Sequence, residues 1–408
     1  MNLRLLAMVG GLVVMTGMAT PVAAQQSTMS MGLFSGSNSF RPDLTQRDLK
    51  VIIRVLGLQG ESLKALQDLY DGYAGTLASE GVAVREYVAE VIEKAETLQN
   101  AELVVPARTK ISEWEVRSEQ IKKTFLEDLK SLLSRDEEAR WPIVERELRR
   151  LKYVGSGILT GENVDMVKLT EDVVGESGAQ GEVAELLNRY SEELDHVLVA
   201  RKRALDENKE EYSSAIKTDP DKARKCWGAV NDARLAVQAL NDRYASLIAG
   251  VMPGDKKQKF ERAWLERCYP MACRPSRVDE YLKDAKELQS LSAEQKTQLK
   301  AIGAAYEEKV WRHREVAARA WRQFESEHRK QRLEDSLAGK TDDGRNQQYN
   351  GAWLPESHPV NATRLTRIEI DKDFRRQIDA VLTPEQREEV PARLTPFAKF
   401  ESWQPYGL

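Results

Sequence analysis

Three observations predict an all-α protein, built as three tandem helical-hairpin bundles with long antiparallel helices. Apolar residues recur at intervals of three and four along most of the chain, strand-like alternation is nearly absent, and one helical pattern returns twice. In the first window the spaced residues are Leu63, Leu66, Leu69, Tyr70, Tyr73 and Leu77. In the second they are Val183, Leu186, Leu187, Tyr190, Leu194 and Val197, and a third run passes through Leu299, Ile302, Tyr306 and Val310. Aligned on these runs, Tyr70, Tyr190 and Tyr306 stand 120 and 116 residues apart. That period exceeds the roughly 20–50 residues of a solenoid repeat, so the units read as tandem domains covering 42–160, 161–274 and 275–400.

Residues 1–24 have the form of a secretory leader: Arg4, an apolar run from Leu5 to about Met18, and small residues ending at Ala24. The mature chain is therefore expected outside the cytoplasm, in the periplasm or beyond. Residues 25–41 are a low-complexity lead-in, and 401–408 form a tail. Each repeat opens with a short helical segment, respectively DLTQRDLKVIIRVLGL, NVDMVKLTEDVVG and VDEYLKDAKELQSL. A long helix carrying the tyrosine follows, then a second long helix, entered in the first repeat at Pro106, which suits a first helical turn because its missing N–H has no partner there anyway. A short return helix closes each unit. In the third, the Gly-, Asn- and Asp-rich stretch 334–364 reads as a long exposed loop between the two long helices.

Three corners where helices begin share a phrase: LLSRDEEARW at 132–141, LSAEQKTQLK at 291–300 and VLTPEQREEV at 381–390. In each, a hydroxyl residue stands three before a Glu or Gln, as Ser134 and Glu137, Ser292 and Gln295, and Thr383 and Gln386. The pair can satisfy two orphan backbone N–H groups reciprocally, the capping box that starts a helix. Asp255 and Gln258 offer the same spacing at the second hairpin, and Ser177 and Gln180 before that unit's first long helix. Pro142 and Pro391 each follow their corner's hydroxyl by eight, where the return helix should kink or end. The second repeat has Ala263 there, so its return helix is expected to run on to about Cys268. An LTxxQ phrase at helix starts in an exported, all-helical chain resembles the Spy/CpxP family of periplasmic stress proteins, here in a triplicated, divergent form. The resemblance implies long helical hairpins, ATP-independent chaperone activity, and relatives that bind or sense zinc and other metals.

The other residues bound the function. A formal charge of -4 and interleaved acidic and basic residues give no footprint for nucleic acid, and no second apolar run approaches the roughly 20 residues of a membrane span. Three cysteines leave one thiol over: Cys268 with Cys273 is the preferred local pair, with Cys226 a buried apolar residue, and Cys226 with Cys273 is the rival. His196 and His328 each follow a glutamate by three, as di-iron bundles require. They stand 6 and 22 residues past their repeat tyrosines, an axial offset of ~24 Å, so no metal site or other cofactor is expected. No phosphate loop, nucleophile elbow or zincin motif occurs, so no enzyme is expected.

The most basic segment, 309–332, offers a face for anionic or unfolded partners. Its other reading places Val310, Ala317, Trp321 and Phe324 on one core stripe with the arginines facing solvent. The function expected is an exported, non-catalytic interaction protein of the bacterial cell envelope, chaperone-like, with protein partners or unfolded clients. The alternatives are a metal-responsive periplasmic sensor or buffer and a structural scaffold.

Overall fold

The structure is a computed structural model that describes residues 43–98, 100–175, 180–339 and 355–390. Among these residues every regular element is helical, and no helix is long and apolar enough to cross a membrane. The expected leader, lead-in and tail lie outside the described residues.

The chain divides into two compact units, with the boundary between Glu145 and Arg146. In the first, α1 (Gln46–Leu56) precedes the long helices α2 (Gly60–Thr97) and α3 (Val105–Ser131), followed by α4 (Arg135–Glu138). The short α4 stops and α5 (Trp141–Tyr153) restarts with Pro142 in its first turn, so the expected break falls just ahead of that proline. Helices α2 and α3 pack along each other, and Arg117 on α3 donates two hydrogen bonds to Glu80 on α2, at 2.7 and 2.8 Å. Between them lie Leu66, Tyr70, Tyr73, Leu77, Val84, Trp114, Ile121 and Phe125, all buried.

The second unit holds two hairpins. Helices α6 (Met166–Val174), α7 (Glu182–Thr218), α8 (Pro220–Val251), α9 (Gly254–Cys268) and α10 (Pro270–Cys273) form one group. Helix α9 runs unbroken to Cys268, where the first unit has its proline break. Asp219 alone links α7 to α8, and its carboxylate accepts from the backbone N–H of Lys222. The other group comprises α11 (Arg277–Glu287), α12 (Ala293–Leu337), α13 (Pro359–Val381) and α14 (Pro384–Glu389). Helix α14 ends one residue short of Val390, immediately before Pro391. Residues 334–337 and 359–364, expected in a loop, instead extend α12 and open α13, and 340–354 lie outside the described residues.

The repeat tyrosines do the same work in each hairpin. Tyr70 donates to the Leu44 carbonyl at 3.2 Å, just ahead of α1, and its ring meets Phe125 of α3 edge-on at 6.3 Å. Tyr190 accepts from the N–H of Met166 at the start of α6 and donates to Asn241 Oδ1 at 3.0 Å, with Tyr244 edge-on at 5.3 Å. Tyr306 bonds Ser276, the cap of α11, at 2.8 Å and Asp371 at 2.8 Å, with Phe374 edge-on at 5.1 Å. A ring at this position fills the hairpin seam while its hydroxyl fixes the start of the short helix, which explains why the apolar stripe carries a tyrosine rather than a leucine.

The boundaries expected at 160/161 and 274/275 both fall inside the second compact unit. The second and third hairpins share one unit because buried polar groups join them, and the boundary expected at 160/161 would cut the segment that carries those groups.

Candidate functional site

That segment is residues 154–165, VGSGILTGENVD, between α5 and α6. Its centre is Glu162, with no exposed surface, which accepts from the N–H groups of Ile158 and Leu159 at 2.8 and 2.9 Å. The same carboxylate meets Arg201 of α7, itself 2% exposed, at 2.6 Å and Arg234 of α8 at 3.1 Å. Arg201 also donates to the Tyr153 carbonyl and to Ser156 Oγ. A buried carboxylate with two guanidinium and two backbone partners has its lone pairs filled, the condition under which a buried charge is tolerated.

The loop is held as well by α12 of the other hairpin and by two more side chains of α8, Gln238 and Asn241. Glu325 of α12 accepts from Thr160 N at 2.9 Å and from Thr160 Oγ1, while Arg322 and Gln238 donate to the Thr160 carbonyl, both at 2.8 Å. Arg322 also pairs with Asp242 of α8. Asn241 donates to the carbonyls of Gly161 and Val164 at 2.7 and 3.1 Å. Two glycines permit this turn. Gly161 has φ +80° with Cys268 and Trp264 close by, and a Cβ on Gly157 would lie 2.8 Å from the Asn163 nitrogen.

Above the clamped loop lies a cleft of about 310 Å³. One wall is a single face of α12, Trp321, Phe324, Glu325, His328, Arg329 and Arg332, at helical spacing. Opposite stand Ile158, Leu159 and Asn163 from the loop and the stretch 267–272 at the end of α9 and in α10. The α12 wall is aromatic: Phe324 meets Trp321 edge-on at 5.8 Å, stacks on His328 at 5.0 Å, and meets His358 edge-on at 5.1 Å. Ile158 and Met271 are exposed at the cleft.

This arrangement corrects the core-stripe reading of 309–332. Val310 and Ala317 are buried, but Trp321 and Phe324 are only half-buried and face the cleft. The arginines do not all solvate the far side, since Arg322 and Arg329 are drawn inward.

The capping motifs are where the sequence places them, with one exception. Ser134 and Glu137 open α4, Ser292 and Gln295 open α12, and Thr383 and Gln386 open α14, each as a reciprocal capping box. Asp255 and Gln258 do not form one: α9 begins at Gly254 after an extended Pro253, so Asp255 already has helical backbone and cannot serve as the non-helical cap. Ser177 lies outside the described residues, and the cap position of α7 is Gly181. Thr45 with Asp48 and Ser276 with Asp279 also form capping boxes, with Asp at the third position in place of Glu or Gln.

Two corners do more than start helices. Gln295 Nε2 donates to Gln386 Oε1 at 2.8 Å and Gln386 Nε2 returns a bond to Gln295 Oε1 at 3.2 Å. Their remaining amide positions bond Val381 O, Ser290 O and the two cap N–H groups, so both side chains make all four bonds open to them.

Neither cysteine pairing forms: Cys226, Cys268 and Cys273 are buried free thiols. Cys268 belongs to the core of the second hairpin and lies against Gly161. The stretch after it coils into α10 instead of extending, so Cys273 gains only ~1.5 Å per residue and stays short of Cys226. Burial pushes the Cys268 thiol well up and that of Cys273 to about 11, which keeps both protonated and poorly nucleophilic. His196 is exposed on α7 and His328 lies in the cleft wall, and the structure does not bring them together. Among the described residues no three His, Cys, Asp or Glu side chains converge as a metal site.

Comparison with protein-family models, with curated proteins and with solved structures returns no match.

Proposed function

We propose that this protein is an exported, non-catalytic interaction protein of the bacterial cell envelope, chaperone-like in seating apolar parts of other molecules. The reading rests on the second-unit cleft, where Trp321, Phe324, Ile158 and Met271 present apolar surface beside arginines. A concave, mainly apolar site with a few polar groups is the usual form of a binding site. The ionisable groups around it support binding over bond-breaking: the Glu325 carboxylate is committed to Thr160, and the Cys268 thiol is protonated. The leader-like N-terminus and the resemblance of the capped corners to Spy/CpxP proteins supply the envelope setting.

The test is suppression of aggregation of an unrelated denatured enzyme at near-stoichiometric amounts, without ATP. The intact chain should suppress it, and a chain carrying Trp321→Ser with Phe324→Ser should lose most of that effect while keeping its helical circular dichroism. No suppression by the intact chain, or equal suppression by the double variant, overturns the proposal. A melting temperature that rises only with micromolar zinc, in the absence of suppression, assigns the protein to the metal-responsive alternative.

A further inference from the structure

Most inward arginines of the second unit pair with a carboxylate; among the described residues Arg314, Arg329 and Arg364 show no such pair, and of these three Arg329 stands in the cleft wall. Arg150 pairs with Asp165 at 2.8 Å, Arg149 with Asp195 at 2.6 Å, Arg201 and Arg234 with Glu162, Arg322 with Asp242, and Arg367 with Asp371 at 3.0 Å. Arg329 is half-buried in the cleft wall, yet among the described residues no carboxylate lies within ion-pair distance of it. Its contacts are Asn231 Oδ1 at 3.4 Å and the face of Trp227 at 6.0 Å. The nearest acid in the cleft, Glu325, has its oxygens taken by Thr160 and Gln238.

A guanidinium does not shed its proton in a protein, so a half-buried one with so little compensation is held at a cost. Burial weakens its hold on its proton; Glu325 and Glu162 oppose this from a distance, and Arg234 and Arg332 act with burial. A guanidinium in the wall of a cleft that also presents Trp321, Phe324 and Ile158, with no carboxylate of its own among the described residues, is placed to meet an anion that comes from outside.

We propose that the cleft selects a carboxylate on an apolar body, with Arg329 receiving the carboxylate and Trp321 and Phe324 receiving the body. This rests on the reading of the cleft as a binding site and adds the chemistry that it recognises. One planar guanidinium fork matches the two oxygens of a carboxylate. The largely apolar lining favours a monoanion over a dianion such as phosphate, which would lose more hydration on entry. A volume of about 310 Å³ is at the small end of ligand pockets, the size of a short aromatic or aliphatic acid or of the last residues of a polypeptide.

Calorimetric titration of the full chain with 4-phenylbutyrate, and with its uncharged primary amide, tests this. The acid should bind at least tenfold more tightly than the amide. Arg329→Gln should remove that preference and leave amide binding unchanged, Arg329→Lys should keep part of it, and Trp321→Ala should weaken both ligands. Equal binding of acid and amide to the intact chain overturns the carboxylate proposal and leaves the apolar binding reading standing. Binding of neither to the folded chain overturns both. If Arg329→Gln does not fold, the acid-to-amide ratio in the intact chain and in Arg329→Lys decides. A second arm compares an apolar hexapeptide bearing a free C-terminus with its amidated form. The same tenfold preference there supports the proposal with a polypeptide end as the source, and a preference confined to phenylbutyrate supports it with a small acid.

Discussion

His313 of α12 has one ring nitrogen bonded to the Thr363 carbonyl at 2.7 Å and the other, Nδ1, buried without a partner among the described residues. A carbonyl only accepts, so Nε2 carries the hydrogen and Nδ1 the lone pair. Burial holds the ring's pKa below its usual value despite the Thr363 bond; Arg367 and Arg314 act the same way and Asp371 opposes them. Because the folded pKa is depressed, the unfolded chain takes up the proton first as pH falls. Stability is therefore fully present above about pH 6.5 and is lost as pH drops from there toward the folded value. Urea denaturation between pH 7.5 and 5 should show this slope, and His313→Gln should flatten it; an unchanged slope would show that other groups carry the dependence. Glu162 makes the opposite kind of prediction, one of size. Replacing it with Gln leaves Arg201 and Arg234 buried without their carboxylate, which should cost about 3–5 kcal/mol in urea denaturation. A loss under about 1 kcal/mol would mean that the cluster relaxes toward water.

Short helices, long helices and corners were legible in the sequence because each depends on residues close in the chain. The apolar stripes through Leu66 and Tyr70 or Leu194 and Leu198 face the cores that their spacing implies, and the boxes at Ser134, Ser292 and Thr383 form. Asp255 misled because spacing alone does not reveal where the backbone first turns helical, and Pro253 with Gly254 start α9 one residue early. The mutual amide pair of Gln295 and Gln386, 91 residues apart, was not readable, since nothing local distinguishes a capping glutamine from one that also bonds its counterpart. It gives the corner motif a measurable second role. Ser292→Ala, which removes a cap alone, should cost about 1 kcal/mol. Gln386→Ala should cost more, and a double-mutant cycle with Gln295→Ala should show coupling of about 0.5–3 kcal/mol. Strict additivity would show that the two amides touch without depending on each other.

Across the whole molecule, the segment 154–165 and Arg329 escaped sequence reading for one physical reason: their partners lie on helices distant in sequence. Three glycines within seven residues around ILTGEN were the available sign that the backbone there is doing something special, yet the same glycines look like a linker. The two-unit division has a direct consequence for truncation. A chain ending at residue 274 removes Glu325 and Arg322 from Thr160, so amide hydrogens of 154–165 should exchange at least tenfold faster, while those of α2 and α3 stay as protected as in the full chain. Equal protection of the loop in the truncated and full chains would restore the picture of separable bundles. Within the second unit the stretch 154–165 is gripped by α12 of one hairpin, and its acid is neutralised by α7 and α8 of the other. A cut between the two hairpins would therefore strand charges on both pieces, Asp242 on one and Arg322 with Glu325 on the other, so the second unit is expected to be inherited by any engineered fragment whole or not at all.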